Sequence, residues 1–161
     1  MKNFFEIFAI PQRFEIDLEN LEKKYLTFQK QFHPDSASSA DIEKSILINE
    51  AYKILSDDFA RACYLLALKN IDIRHDEKAV KPSTATLIEV LELQEKISEI
   101  ADRDEIEILR KKINQELKQL ILQAMNLLEA LKTEEAAQFL VKAKYLKKSL
   151  EDLKIRKNKL K

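Results

Sequence analysis

Residues 23–35 read KKYLTFQKQFHPD, and they end on the tripeptide His33-Pro34-Asp35. This stretch belongs to a longer segment in which apolar residues recur at spacings of three and four, as on one face of a helix: Leu18, Leu21, Tyr25, Phe28 and Phe32. Asp17 can cap a helix that begins at the first of these residues. Because a proline disfavours helical backbone in the residue before it, the helix should span residues 18–32 and end at a polar loop.

Further helices are predicted on both sides of this loop. A short helix over residues 3–10 is broken at Pro11. After the loop, a helix from about Asp41 places four residues on one face: Ile48, Ala51, Tyr52 and Leu55. Residues 56–58 read SDD and can cap a fourth helix. Its apolar residues are Phe59, Ala62, Leu65 and Leu66. Residues 1–70 are therefore predicted to form one helical domain.

The composition favours helices and excludes several kinds of site. The 161 residues include no glycine, which argues against tight hairpins and against a Gly-rich phosphate-binding loop. The formal net charge is zero, so no general attraction to nucleic acid is expected. One cysteine and two histidines give no basis for an internal disulfide, and no resident metal or cofactor is expected. Residues 1–10 lack the features of a secretion signal, and no stretch is long enough to span a membrane. A cytoplasmic protein without membrane attachment is therefore expected.

The second half of the chain is predicted to be a separate all-α bundle. Residues 71–82 are mostly polar or charged and are interpreted as a linker. Residues 83–161 contain three amphipathic segments with short turns, at 83–101, 104–131 and 133–157, which an antiparallel three-helix bundle would pack most simply. The middle segment has a continuous apolar stripe: Ile106, Leu109, Ile113, Leu117, Leu120, Ala124 and Leu131.

The first helix of this bundle has more apolar residues than a bundle can bury. One complete core face consists of Val90, Leu93, Ile97 and Ile100. At 100° per residue, a second face carries Leu87, Ile88 and Leu91, mixed with Glu92, Glu95 and Glu99. In the last helix, Val141 and Tyr145 lie off a stripe of Phe139, Ala143, Leu146, Leu150 and Leu153. An apolar patch rimmed by carboxylates is typical of a docking surface. The alternative is that these residues are extra core or contact the first domain.

The pattern around the tripeptide resembles the J-domain family. The resemblance rests on residues 23–35 and on INEAYKILSD at 48–57, and it covers residues 1 to about 70. It implies docking on a DnaK-type chaperone ATPase through His33, Pro34 and Asp35 and through a basic second helix. The residue chemistry agrees, because Pro34 restricts its own backbone and Asp35 can offer a carboxylate to an arginine of the partner.

A basic strip lies opposite the apolar stripe of the second helix. Its members are Lys23, Thr27 and Lys30, flanked by Lys24 and Gln31. Such a strip can meet an acidic partner surface. An ordinary solvated lysine face is the alternative, and Ser36 departs from the lysine that many J-domains carry at this position.

The chain as a whole resembles the HscB-type co-chaperones, in which a J-domain is followed directly by a small helical bundle. Two stretches carry this resemblance, RACYLL at 61–66 and LELQE at 91–95. It implies that the chain stimulates an HscA/DnaK-type chaperone and delivers an IscU-type iron–sulfur scaffold protein to it. Matched by position, the scaffold-binding residues are Leu87, Ile88, Leu91, Glu92, Glu95, Glu99 and Tyr145. No catalytic arrangement of residues is evident, so no enzyme is predicted. The alternative function is a J-domain co-chaperone with a different client.

Overall fold

The structure is a computed structural model that describes residues 3–32, 38–75 and 79–160. Most of these residues lie in helices: α1 (Phe4–Ile7), α2 (Leu18–Gln31), α3 (Ser39–Ser56), α4 (Asp58–Ala67), α5 (Thr84–Glu99), α6 (Arg103–Glu129) and α7 (Thr133–Lys159). No strand occurs among the described residues, and the predicted all-α class is confirmed. The chain divides into two compact units, Met1–Leu65 and Leu66–Lys161. The predicted domain limits of 1–70, 71–82 and 83–161 stay predictions.

The first unit packs α3 against both α1 and α2. Its core is formed by Phe5, Phe8, Leu21, Ile48, Ala51, Leu55, Ala62 and Cys63. The predicted cap of α2 is confirmed, because the Asp17 carboxylate accepts a hydrogen bond of 2.9 Å from an N–H group in the first turn. Two details differ from the prediction. Helix α1 ends at Ile7 because Ala9 leaves the helical region, with φ at 46°. Leu18 is exposed, so the buried side of α2 starts at Leu21.

A buried arginine joins α4 to the segments before it. The guanidinium group of Arg61 donates to the main-chain oxygens of Phe14 and Leu55, at 2.7 and 2.6 Å, and to the Asp58 carboxylate at 2.6 Å. The same group lies 4.8 Å from the centre of the Phe14 ring. These contacts satisfy a charge whose burial would otherwise be costly. Arg61 is therefore a structural residue of the first unit.

In the second unit, α6 and α7 are antiparallel. Glu107 near the start of α6 accepts a hydrogen bond of 2.7 Å from Lys157 near the end of α7. The buried side of α6 consists of Ile106, Leu109, Ile113, Leu120, Ile121, Ala124 and Met125. The buried side of α7 consists of Ala136, Ala137, Leu140, Val141, Ala143, Leu146, Ser149 and Leu153. The small residues allow close approach of the two helices.

Helix α5 lies alongside α7 and runs in the same direction. Just before α5, the main-chain oxygen of Lys81 accepts a hydrogen bond of 3.1 Å from Gln138. Just after α5, the main-chain oxygen of Ile100 accepts one of 2.8 Å from Arg156. Since α6 is antiparallel to α7, the three helices form the predicted antiparallel bundle.

Two predictions about the bundle core are wrong. Val141 was expected to lie off the core but is buried. It shares a side of α7 with Lys144, whose ammonium group donates to the main-chain oxygen of Ile73 at 3.3 Å. Because Ile73 is itself buried, part of segment 71–82 packs over this side of α7. Leu131 was expected to end the stripe of α6, but it lies beyond the helix and is 80% exposed.

Three of the described residues adopt left-handed backbone although the chain has no glycine. They are Ala9, Asn70 and Leu131, with φ values of 46°, 63° and 61°. After α6, the N–H groups of Leu131 and Lys132 donate to carbonyl oxygens of the last turn at 3.1 and 2.9 Å, the pair of bonds that defines a Schellman motif. Asparagine tolerates this backbone well, whereas for alanine and leucine it costs about 1–2 kcal/mol.

Candidate docking surfaces

The exposed side of α2 carries the predicted basic strip. Lys23 is exposed and forms an ion pair of 2.7 Å with Glu19 one turn earlier. Thr27 donates its hydroxyl hydrogen to the main-chain oxygen of Lys23 at 2.9 Å. Lys30 and Gln31 are exposed in the last turn. Since an exposed pair such as Lys23 and Glu19 is weak, Lys23 can exchange this contact for one with a partner.

Lys24 differs from the other members of the strip. Its side chain is half-buried, and its ammonium group donates to the main-chain oxygens of Phe8 and Ala9 at 2.8 and 3.1 Å. A lysine in this place satisfies carbonyl groups left open where α1 ends. The charge of Lys24 is thus used within the first unit, which its position in the sequence did not indicate. Its predicted contact with a chaperone stays a prediction.

The tripeptide His33, Pro34, Asp35 lies outside the described residues, but the residues on either side of it are well anchored. Before it, the N–H group of Phe32 donates to the carbonyl oxygen of Phe28 at 3.0 Å. After it, the hydroxyl and N–H groups of Ser38 donate to the Asp41 carboxylate at 2.7 and 3.3 Å. The hydrogen bond from the Ser38 hydroxyl is the main reason that the pKa of Asp41 is lowered. Both flanking helix ends are therefore fixed.

A cluster of four side chains links α2 to α3. The ring of Tyr25 stacks on that of Tyr52, with centroids 3.9 Å apart and planes inclined by 5°. The Tyr25 hydroxyl donates to the Asn49 side-chain oxygen at 2.9 Å and accepts a hydrogen bond from Gln29. The sequence patterns placed both tyrosines on their helix faces but did not indicate this pairing. This cluster holds together the two helices between which the tripeptide lies.

Helix α5 has the two faces that its sequence predicted. Val90 and Ile97 are 6% and 4% exposed, and Ile100 is also buried. Leu93 is only half-buried, so it is the weakest member of the predicted core face. On the other side, a docking face formed by Leu87, Ile88 and Leu91 is between 41% and 63% exposed. The carboxylates beside it, Glu92, Glu95 and Glu99, are exposed as well. The separation of the two faces is confirmed, whereas binding to the docking face stays a prediction.

Tyr145 is the one member of the predicted scaffold-binding set that lies on α7. It is half-buried, and its main-chain oxygen accepts a hydrogen bond of 3.2 Å from the Ser149 hydroxyl. Lys142, three residues earlier, forms an ion pair with Glu89 of α5. Because residues three apart are neighbours on a helix surface, Tyr145 lies on the part of α7 next to α5. That Tyr145 belongs to the same binding surface as Leu87, Ile88 and Leu91 stays a prediction.

Among the described residues, no group of three or more histidine, cysteine, aspartate or glutamate side chains is arranged to hold a metal ion. None of the described helices combines the length and the apolar character that crossing a membrane requires.

Comparison with known proteins defines the class of each unit. Residues 3–64 match the family model of the DnaJ domain, and residues 82–154 match that of the HSCB C-terminal oligomerisation domain. The chain is therefore a J-domain protein with a second, family-specific helical domain. The Vibrio cholerae chaperone HscB has a similar structure, with a TM-score of 0.82, 27% sequence identity and coverage of 98% of this chain and 99% of that one. Human co-chaperone protein HscB gives a TM-score of 0.84 at 26% identity, covering 99% of this chain and 84% of that one.

Curated relatives carry the same name. An Arabidopsis thaliana iron–sulfur cluster co-chaperone protein HscB homolog is 29% identical over 158 residues, which cover 94% of this chain and 62% of that protein. A co-chaperone protein HscB homolog of Acinetobacter baumannii is 38% identical over 115 residues, covering 70% of this chain and 66% of that protein. The chain belongs to the HscB family of J-domain co-chaperones. Its matched region spans just under two thirds of the length of these curated relatives.

Proposed function

We propose that this chain is a co-chaperone of iron–sulfur cluster assembly. The first unit would dock on an HscA/DnaK-type chaperone and stimulate its ATPase. The second unit would bind an IscU-type scaffold protein and present it to the same chaperone. Because one chain holds both partners, each contact raises the effective concentration of the other partner, and delivery becomes coupled to ATP hydrolysis. Membership of the HscB family supports this reading.

The observation that carries the scaffold-binding part is the exposed second face of α5. Leu91 at its centre is 63% exposed, although the same helix already buries Val90 and Ile97 on its other face. Three large apolar residues exposed to water add no stability to the bundle. Neighbouring exposed apolar residues of this kind are typical of protein interfaces. Glu92, Glu95 and Glu99 of the same helix are exposed as well. A partner with an apolar patch and a basic rim would complement this surface.

The chaperone-binding part rests on α2 and the tripeptide after it. Lys23 and Lys30 are exposed and positively charged on the side of α2 away from the core. Such charges accelerate encounter with an acidic surface and orient the two proteins. Asp35 would then supply a charge-assisted hydrogen bond to an arginine of the chaperone. The expected compartment for this activity is the cytoplasm.

The experiment that tests the proposal is a steady-state ATPase assay with purified HscA/DnaK-type chaperone and IscU-type scaffold. The Asp35→Asn variant should lose stimulation but keep its affinity for the scaffold. The Leu91→Ala variant should keep stimulation in the absence of scaffold but need a higher scaffold concentration for the synergistic rate. Leu122→Ala is the matched control, because this leucine of α6 is 50% exposed and lies outside the docking face.

Three outcomes would count against the proposal. Wild-type stimulation by Asp35→Asn would remove the chaperone-binding role of the tripeptide. Equal scaffold requirements for Leu91→Ala and Leu122→Ala would remove the docking face. If the wild-type chain stimulates the chaperone but does not bind the scaffold, the result would point to the alternative, a J-domain co-chaperone with a different client.

A further inference from the structure

A groove separates α5 from α6. It has a volume of about 240 Å³, and side chains from all three helices of the bundle line it. Val90, Ile113 and Leu146 form part of its apolar lining. Helix α5 packs along α7 and meets α6 mainly across this groove. The position of α5 therefore depends on its contacts with α7 and on whatever crosses the groove.

The side chain of Lys142 crosses it. This lysine of α7 forms an ion pair with Glu89 of α5 and a second one, of 3.2 Å, with Glu116 of α6. The lysine side chain is 23% exposed, and both carboxylates are partly exposed. Burial alone would lower the pKa of Lys142, but its hydrogen bonds to the two carboxylates outweigh that effect and raise it. Lys142 is therefore charged at neutral pH and joins three helices at one point.

Three polar contacts between described residues join α5, or the residues directly before and after it, to α7 at different positions along the helix. Gln138 binds the main chain just before α5, Lys142 binds Glu89, and Arg156 binds the main chain at the end of α5. The first and last contacts involve main-chain oxygens, so they do not depend on which side chains of α5 point inward. Only the Glu89 contact of these three uses a side chain of α5, and Glu89 lies between Ile88 and Leu91 in sequence.

Apolar burial alone defines the orientation of α5 poorly. Both of its faces are apolar, and at 100° per residue their centres lie far apart around the helix axis. A rotation of α5 about its own axis would exchange buried and exposed apolar residues at a smaller cost than in a helix with a single stripe. The same rotation would carry Glu89 away from Lys142. Fixing one arrangement among near-equivalent packings is the best-supported role of partly buried charge pairs.

We infer that Lys142 is a positioning residue for scaffold binding. By bridging Glu89 and Glu116 it fixes the rotation of α5 about its axis, and so holds Leu87, Ile88 and Leu91 outward in one preorganised arrangement. This inference rests on the proposed docking of the scaffold on α5. Lys142 would need no contact with the scaffold, but it would determine how well the docking face fits the scaffold.

Isothermal titration of the full-length chain with purified IscU-type scaffold tests the inference. Lys142→Met keeps the length of the side chain and removes its charge, and it should weaken binding about fivefold, as expected for the loss of a partly exposed charged bridge. Lys142→Arg should restore affinity to within about twofold of the wild type, because it can still pair with both carboxylates. Lys112→Met is the matched control, since Lys112 lines the same groove without an ion pair to any described residue. Its affinity should be unchanged.

Two further variants separate positioning from a general loss of structure. Glu116 lies on α6, away from the docking face. Glu116→Gln should therefore weaken scaffold binding about twofold, and only by weakening the hold of Lys142 on α5. In a Leu91→Ala background, Lys142→Met should add less than about twofold, because the face that it positions has already lost its central residue. This coupling test still applies if Lys142→Met lowers the thermal stability of the bundle.

The results that overturn the inference differ from those that overturn the proposed function. If Leu91→Ala weakens scaffold binding but Lys142→Met does not, the docking face stands and the positioning role fails. The role also fails if Lys112→Met weakens binding as much as Lys142→Met, or if the Lys142→Met and Leu91→Ala effects are fully additive. If Leu91→Ala leaves the affinity unchanged, both the docking face and the inference fail.

Discussion

Replacing Leu91 with alanine should separate folding from binding. In the free chain 63% of Leu91 is exposed, so only about a third of its surface is buried by folding. Complete burial of a leucine side chain contributes about 1.5–3 kcal/mol, and a third of that is about 0.5–1 kcal/mol. The remaining surface is available to the scaffold, so its removal should weaken scaffold binding by about 1–2 kcal/mol. That range corresponds to roughly 5–30-fold in the dissociation constant.

Thermal unfolding and calorimetric titration on the same samples measure the two effects. The unfolding midpoint of Leu91→Ala should fall by only about 1–4 °C. Ile97→Ala provides the contrast, because this residue of the opposite face is 4% exposed and its truncation should cost about 2–5 kcal/mol of stability. Ile97 is a sharper contrast than Leu93, which is only half-buried. A large loss of stability in Leu91→Ala with a silent Ile97→Ala would refute the assignment of the two faces. Unchanged affinity in a stable Leu91→Ala would refute docking at this face.

Three further predictions concern charge and backbone. Lys30→Glu should slow association with the chaperone more than it speeds dissociation, and added salt should weaken wild-type binding; a salt-independent association rate in stopped-flow measurements would contradict this. Leu131→Gly should stabilise the chain by about 1 kcal/mol in denaturant unfolding, because glycine adopts the left-handed backbone without strain, and a loss of stability would show that the leucine side chain makes a favourable contact. Hydrogen bonds from Lys157 and Arg110 lower the pKa of Glu107 from its ordinary 4.5 to about 2, so its stabilising contribution is present above pH 4.5 and is lost as the pH falls towards 2. Glu107→Gln should therefore flatten the pH dependence of stability in this window, and identical acid unfolding curves for variant and wild type would contradict the assignment.

Much of the fold follows from local patterns that one helix carries by itself. The apolar spacing in α2 and α6, the Asp17 cap and the two faces of α5 could all be predicted because each depends on residues within a few turns of one another. The exposed docking face was predictable for the same reason: the six large apolar residues of α5, with Ile100 directly after it, exceed what one buried side can hold.

The errors occur where a second partner decides the outcome. Val141 is buried because α7 is covered both by the bundle and by the segment around Ile73. The apolar pattern of α7 by itself cannot show that this segment packs on it. Lys24 looked like its exposed neighbours, but its long side chain reaches the carbonyl groups at the end of α1. Leu131 extended the apolar spacing of α6 because no glycine indicated where that helix stops. The bridge made by Lys142 could not be predicted either, since it depends on the angles between three helices.

The left-handed helix ends also affect the unfolded chain. Every residue of this protein carries a side chain beyond the α-carbon, so its unfolded ensemble has less backbone freedom than that of a chain with ordinary glycine content. Strain at Leu131 in the folded state is thus offset by a smaller loss of entropy on folding. A glycine at this position would relieve the strain but enlarge the unfolded ensemble. Since the entropic part of the free energy grows in proportion to temperature, the advantage of the glycine variant should be largest in the cold and shrink towards the unfolding midpoint.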